Sequence, residues 1–360
     1  MTMTMMPTLP STLSMPAVAP MIRRPLALDS DSLLTVGIDV GGTKTACVVT
    51  DADDRVLLHE VVPTDTTRLP GQLSDLIRRA VDRFPTDGHR AVGAVGVAVP
   101  GHVEPESGTI RLAVNLGGSR DGGEMALGPL LKESVGLPCY VEHDARAAAS
   151  WIELSGPESV VPSDLAYLSV GTGISAGIVL GGRVLRGANG FAGEVGHVSA
   201  DPADGRCACG LVGCLEQVTA GPAIARMARE AIAAGRQSTL GPNPSPTEVF
   251  RAAEAGDALA CELATLFAER LARAIRGLVL TLGVSHVVIG GGVAGAGEAL
   301  LQPVLEAIGR ERAASPLVEA AFADARVEIL SPQVEAGARG AAAIARRRVL
   351  ADKREGVGDR

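Results

Sequence analysis

The chain has 360 residues, 46% of them apolar, yet only five Phe, two Tyr and one Trp, so a large core is within reach but must be built from Ala, Val and Leu. A formal net charge of −8 argues against nucleic acid or an anionic membrane as the main partner. No apolar run approaches the roughly 20 residues that span a bilayer.

In chain order, residues 1–33 carry prolines inside their apolar stretch and arginines after it, with no basic segment in front. That pattern reads as a disordered tail rather than a signal peptide, and the protein is expected to be cytoplasmic. Apolar runs at 34–40, 46–50 and 56–62, separated by Gly- or Asp-rich turns, predict three successive antiparallel strands. Helical spacing follows at 71–84, then a buried strand at 91–101 closed by Pro-Gly. A second strand, Gly-rich turn, strand unit covers 165–170 and 174–180, about 130 residues after the first. Helices are expected at 218–234 and 257–281, a strand at 286–291, and helices from about 297 and 335. The Pro/Gly/Ser stretch 235–247 reads as a loop within the second half. The pattern predicts an α/β protein of two lobes facing one cleft, with a weak internal duplication.

Three glycine turns punctuate this layout. Residues 37–45, GIDVGGTKT, nearly match a P-loop, but Thr43 precedes Lys44 and the chain continues as a strand instead of a helix. The turn is therefore a hairpin in which Gly41, Gly42, Thr43 and Lys44 bring backbone N–H groups to an anion, with Asp39 placed to orient a hydrated Mg²⁺. An ordinary Gly-Gly hairpin is the plain alternative. Gly171, Thr172 and Gly173 repeat the device. Gly290, Gly291 and Gly292 end a later strand, within a GxGxxG that stands too far along the chain for a dinucleotide fold. Together these turns suit one nucleoside triphosphate between two lobes better than NAD.

Half of the six cysteines fall in residues 207–214, as Cys207, Cys209 and Cys214, ten residues after His197. Three thiolates and one imidazole make a closed tetrahedral Zn²⁺ site, structural because no ligand position stays open. The remaining Cys47, Cys139 and Cys261 are scattered in apolar settings and are expected to be reduced core residues. The zinc loop would pin Glu194 and Glu216, which flank its ligands. Further upstream, Asp144 stands at the junction of a strand and a helix, where an N-cap is its ordinary role.

The motifs GIDVGGTK, GTGISAGI, GEVGH and CACGLVGCLE, in this order over residues 33–347, resemble the ROK family of bacterial sugar kinases and related repressors. The resemblance implies the two-lobed actin-like ATPase (ribonuclease H-like) fold with an active-site cleft between lobes. It implies an N-terminal lobe at 34–142 completed by the helix at 335–350, and a C-terminal lobe at 143–334 carrying the zinc loop. It assigns Asp144 as general base for a sugar's primary hydroxyl, and gives Asn115, His143, Glu194, His197 and Glu216 to the sugar. ATP, Mg²⁺ and structural Zn²⁺ are the implied cofactors, a homodimer the implied assembly, and a sugar or cyclitol the small-molecule partner. The match has gaps: His143 and Arg146 stand where the family has Asn, and the Trp common near Gly118 is missing. The expectation is an ATP-dependent glucokinase-like enzyme, with an N-acetylhexosamine or a C7-cyclitol as alternative acceptors. The family's repressors carry an N-terminal helix-turn-helix, for which residues 1–33 offer no amphipathic helix.

Overall fold

A computed structural model describes residues 32–85, 90–111, 116, 123–155 and 164–358. The first half opens with an antiparallel meander of β1 (Leu33–Val40), β2 (Lys44–Thr50) and β3 (Val56–Pro63), in which Asp39 pairs with Ala46 and Cys47 with Glu60. After α1 (Leu69–Asp82), β4 (Ala91–Val99) joins β1 in parallel. A small hairpin, β5 (His102–Glu104) and β6 (Thr109–Arg111), and α2 (Leu127–Val135) lead to β7 (Cys139–His143), parallel to β4, and then α3 (Asp144–Ser155). The sheet order is β3-β2-β1-β4-β7.

The second half repeats the plan. β8 (Leu165–Val170), β9 (Ile174–Leu180) and the short β10 (Arg183–Val184) form an antiparallel meander. Two helices follow, α4 (Glu216–Thr219) and α5 (Gly221–Ala233), and then α6 (Pro246–Glu254) and α7 (Ala258–Leu282). Strand β11 (His286–Gly290) pairs in parallel with β8; α8 (Glu298–Ala314), α9 (Pro316–Ala321) and β12 (Arg326–Ile329) complete the order β10-β9-β8-β11-β12. Strand for strand, the second sheet copies the first, so the duplication glimpsed in the glycine hairpins extends to both whole sheets. The last helix, α10 (Ala336–Gly358), returns to the first sheet.

The scarcity of aromatics has a structural counterpart here. Helices sit on these sheets at backbone distance, which only Gly and Ala permit. A Cβ at Gly37 would lie 2.0 Å from the Ala338 carbonyl on α10, and one at Gly96 1.9 Å from that of Ala341. The two helices between the sheets cross the same way: a Cβ at Gly340 of α10 would sit 1.8 Å from the Ala147 carbonyl of α3. On its other side α3 lies on β9, where a Cβ at Gly177 would meet the Ala145 carbonyl at 1.9 Å. In the outer helical layer of the second sheet Phe250 and Phe267 meet edge to face at 5.1 Å.

The strands and long helices fall where the hydrophobic periods put them. The expected helix at 218–234 is broken at Ala220, whose ψ of 156° is extended, because Gly221-Pro222 restarts it as α5. The expected loop 235–247 ends early: Ser245 and Glu248 cap α6 reciprocally, a Ser-x-x-Glu box ahead of an apolar run.

Candidate functional site

Between the two sheets lies a cleft of about 700 Å³. It is built where strands end, since β1, β4, β7, β8 and β11 all point their C-terminal ends toward it. The first hairpin turn is held by its own backbone, Gly41 N donating to Lys44 O at 2.9 Å, and is fastened from outside by Thr64, whose hydroxyl donates to Gly41 O at 2.7 Å. The second turn closes in the same way, Gly171 N to Gly173 O at 2.9 Å. Gly41, Gly42, Thr43, Lys44, Gly171, Thr172 and Gly173 all line the cleft, as do Gly291 and Gly292. Gly291 has φ 83°, and a Cβ there would strike the Val170 carbonyl at 2.5 Å. Gly290, expected with them, does not line the cleft; it is buried, and the Tyr167 ring lies where its Cβ would be.

Asp144 is the first residue of α3, directly after β7, and its Oδ1 accepts from Ala145 N at 2.6 Å. It also lies 3.2 Å from His143 Nδ1, whose other nitrogen is 3.7 Å from Glu194 Oε1. His143 thus stands buried between the two carboxylates. Glu216 Oε2 accepts the Ile174 N–H at 3.0 Å, and Gly173 is small enough to leave it room, since a Cβ there would come within 2.5 Å of that oxygen. Asp39, His143, Asp144, Glu194, His197 and Glu216 all face this one space. Asn115 lies outside the described residues, as does Gly118. Arg146, four residues after Glu142, turns away from the cleft and is 1% exposed.

Two cleft residues escaped the sequence reading. Tyr167 lies in the middle of an apolar strand, and burial beside Asp39 and Asp144 holds its phenol protonated, above its usual range. Glu335 precedes α10 in a left-handed conformation, φ 52°, and reaches Lys44 Nζ at 3.5 Å and His59 Nε2 at 3.6 Å. A left-handed glutamate leaves no mark in composition or period. Both bear on Asp39. Its removal from bulk water, then the charges of Asp144 and Glu335, push its carboxyl up to about 7, with Lys44 pulling the other way. A divalent ion beside this carboxyl would neutralise the field that raises its pKa.

The cysteine loop lies at one edge of the cleft. His197 Nδ1 is 3.8 Å from Cys207 Sγ, Cys209 and Cys214 Sγ atoms are 3.6 Å apart, and all four donor atoms fall within 4.8 Å of one another. A tetrahedral Zn²⁺ with ordinary bond lengths requires ligand separations of about 3.6–3.8 Å, which these two pairs match, so the donor set is compatible with the ion expected of it. The loop is tied back by Gly213, φ 79°, whose Cα approaches the Asp201 carbonyl too closely for any side chain. His197 lines the cleft while its Nδ1 faces Cys207, which leaves Nε2 for the cleft side.

A doubled sheet of this order around a cleft lined by glycine hairpins and carboxylates defines the two-lobed actin-like ATPase fold. The ROK family model matches residues 35–348, and the chain belongs to that family. A glucokinase from Halalkalibacterium halodurans is 32% identical over 279 residues, 75% of this chain and 83% of that protein. An N-acetylmannosamine kinase from Citrobacter koseri is 33% identical over 283 residues, covering 78% and 90%. A xylose repressor from Caldicellulosiruptor bescii is 36% identical over 200 residues, 54% of this chain and only 49% of the repressor. Among solved structures, the ROK hexokinase of Thermus thermophilus is 34% identical with TM-score 0.67, covering 88% of this chain and 99% of that one. A Streptomyces griseus ROK glucokinase in complex with glucose and AMPPNP is 30% identical with TM-score 0.70, covering 87% and 99%.

Proposed function

We propose that the protein is an ATP-dependent kinase that phosphorylates the primary hydroxyl of a hexose or hexose-like ring. The observation that carries this reading is the meeting of two glycine hairpins and the Asp144 carboxylate in one cleft. Phosphoryl transfer needs positioning and charge neutralisation more than covalent chemistry, and this equipment suffices. The phosphates of ATP rest on the turns at 41–44 and 171–173, with the nucleoside toward Gly291 and Gly292. The ring lies against His143, Glu194, Glu216 and the free nitrogen of His197. Asp144 accepts the proton of the attacking hydroxyl. Asp39 would hold a hydrated Mg²⁺, which when bound would offset the charge on the phosphates. Closing the lobes, 34–142 with 335–350 against 143–334, excludes the water that would otherwise hydrolyse ATP. Zinc held by His197, Cys207, Cys209 and Cys214 would supply rigidity, fixing the stretch between Glu194 and Glu216.

Glucose is the first acceptor to test, because relatives bear the name glucokinase and a solved relative holds glucose. The imidazole of His143 in place of the family's amide changes the ring contacts, so N-acetylhexosamines and C7-cyclitols with an exocyclic CH₂OH belong in the same panel. No described helix is long and apolar enough to cross a membrane, in keeping with a cytoplasmic enzyme, and a homodimer is the expected assembly. Similarity to a xylose repressor supports a second reading, a sugar sensor without turnover. ADP release with Mg·ATP against glucose, mannose, glucosamine, N-acetylglucosamine, N-acetylmannosamine and a valiolone-type cyclitol, beside Asp144→Ala, separates the two. Turnover on one compound, lost in the variant, upholds the kinase; ligand binding without ADP release across the panel supports the sensor.

A further inference from the structure

Arg146 and its neighbours do something the cleft does not explain. The side chain is 1% exposed and absent from the cleft lining, so it has not simply replaced an amide as a ring contact. Its Nε lies 2.9 Å from Oε1 of Glu142, itself 2% exposed, and the other oxygen of Glu142 accepts from Arg186 Nη2 at 2.6 Å and Nε at 3.2 Å. Glu142 Oε1 also accepts the backbone N–H of His143 at 2.9 Å. From this buried knot Arg146 Nη1 reaches across to the Gly190 carbonyl at 3.0 Å.

Two of these contacts, Arg186 to Glu142 and Arg146 to the Gly190 carbonyl, hold one segment, residues 186–194, which ends at Glu194. His102, on the first sheet's side, holds the same segment: its Nε2 is 2.8 Å from the Asn189 carbonyl and its ring stacks on Phe191 at 4.5 Å. From the second sheet, Ala176 N donates to Gly193 O at 2.7 Å. Gly187, Gly190 and Gly193 have φ of 73°, 78° and 100°, so the segment turns three times where other residues would be strained. Left to itself such a stretch would be loose, and the contacts from both sheets are what give it one shape. A buried ion cluster contributes little or nothing to net stability once desolvation is counted, so its return must be sought in geometry.

We propose that Arg146 and Arg186 are positioning residues: clamped on Glu142, they tie the 186–194 segment to β7 and α3, so that Glu194 is set opposite His143 and Asp144 before any ring compound arrives. This deepens the kinase reading and rests on it for the identity of the ligand. In the family the position of Arg146 carries a small amide; here a guanidinium holds the loop instead, and ring selectivity follows from a preset wall of the pocket.

The test uses Arg186, whose side chain is 45% exposed, so that Arg186→Gln releases the loop while leaving the buried Glu142–Arg146 pair and the fold in place. Amide hydrogen exchange on the purified chain reads the tether without reference to activity. In Arg186→Gln the amides of Ala176 and Ala192, which donate to Gly193 and Arg186 carbonyls, exchange at least about tenfold faster, and Arg186→Lys restores most of the protection. With a ring compound that the wild type phosphorylates, KM for that compound rises roughly 10- to 100-fold in Arg186→Gln, while KM for Mg·ATP stays within about twofold. Unchanged exchange overturns the tether. Faster exchange with an unaltered ring KM, or with both KM values raised alike, overturns the positioning role. A wild type that phosphorylates nothing defeats the kinase reading alone, and the exchange measurement then still decides the tether.

Discussion

Asp39 offers the sharpest quantitative test. Its carboxyl titrates at about 7 in the folded chain against 3.8 for the ordinary group, because the cleft withholds water and presents Asp144 and Glu335. The native state therefore binds more protons than the unfolded chain between those values, and its stability falls as pH rises from about 4 to about 7. The full difference corresponds to about 4 kcal/mol, and partial access of water to the cleft halves it to about 2 kcal/mol at pH 8. Asp39→Asn keeps the shape and removes the charge. Without nucleotide or divalent cation, the variant should melt roughly 2–4 °C above the wild type at pH 8 and level with it near pH 3, below the ordinary carboxylate pKa, while losing phosphoryl transfer. Differential scanning calorimetry across that range, with EDTA present throughout, makes the measurement. A variant no more stable than wild type at pH 8, or equally stabilised at both pH values, would refute the argument that Asp39 is a charge held at a cost for a cation.

Asp144→Asn should lower turnover by roughly 10²–10⁴-fold with ATP affinity little changed, as isothermal titration with a non-hydrolysable analogue would report. The purified chain should carry one zinc by elemental analysis; Cys209→Ser should lose it and, with it, ring binding, while the far-ultraviolet spectrum is retained. Gly340→Ala inserts a methyl against the Ala147 carbonyl and should cost about 1–3 kcal/mol in denaturant unfolding, whereas Gly309→Ala, where a Cβ meets nothing within 4 Å, should cost none.

Much of this architecture could be read from residue order. The apolar runs around GIDVGGTKT and SVGTGISAG give two hairpins, since a strand period of two survives across each turn. The cysteine spacing gives the His197 cluster because a metal fixes its donors by count and type. What the sequence hid were relations between distant elements. Nothing in the run LAYLSV says that Tyr167 will cover Gly290, and Glu335 acquires its meaning only when α10 folds back on β1. Arg146 stood out as an odd residue in a sugar-site motif, but its direction depends on Glu142 and Arg186, partners that motif matching does not weigh. Gly290 was grouped with its neighbours because three adjacent glycines look alike in print, while in space the strand ends between the first and second.

The return of α10 to the first sheet also sets a timetable for biosynthesis. Strands β1 and β4 are complete by Val99, yet the face on which Gly37 and Gly96 lie stays uncovered until Ala338 and Ala341 have been made. At ordinary elongation rates that wait is roughly 10–50 s, spent with an apolar, glycine-pitted sheet face uncovered by its helix. The half that begins the chain therefore stays incomplete until its end is made, and loss of the final helix would uncover Gly37 and Gly96 on strands far from the break.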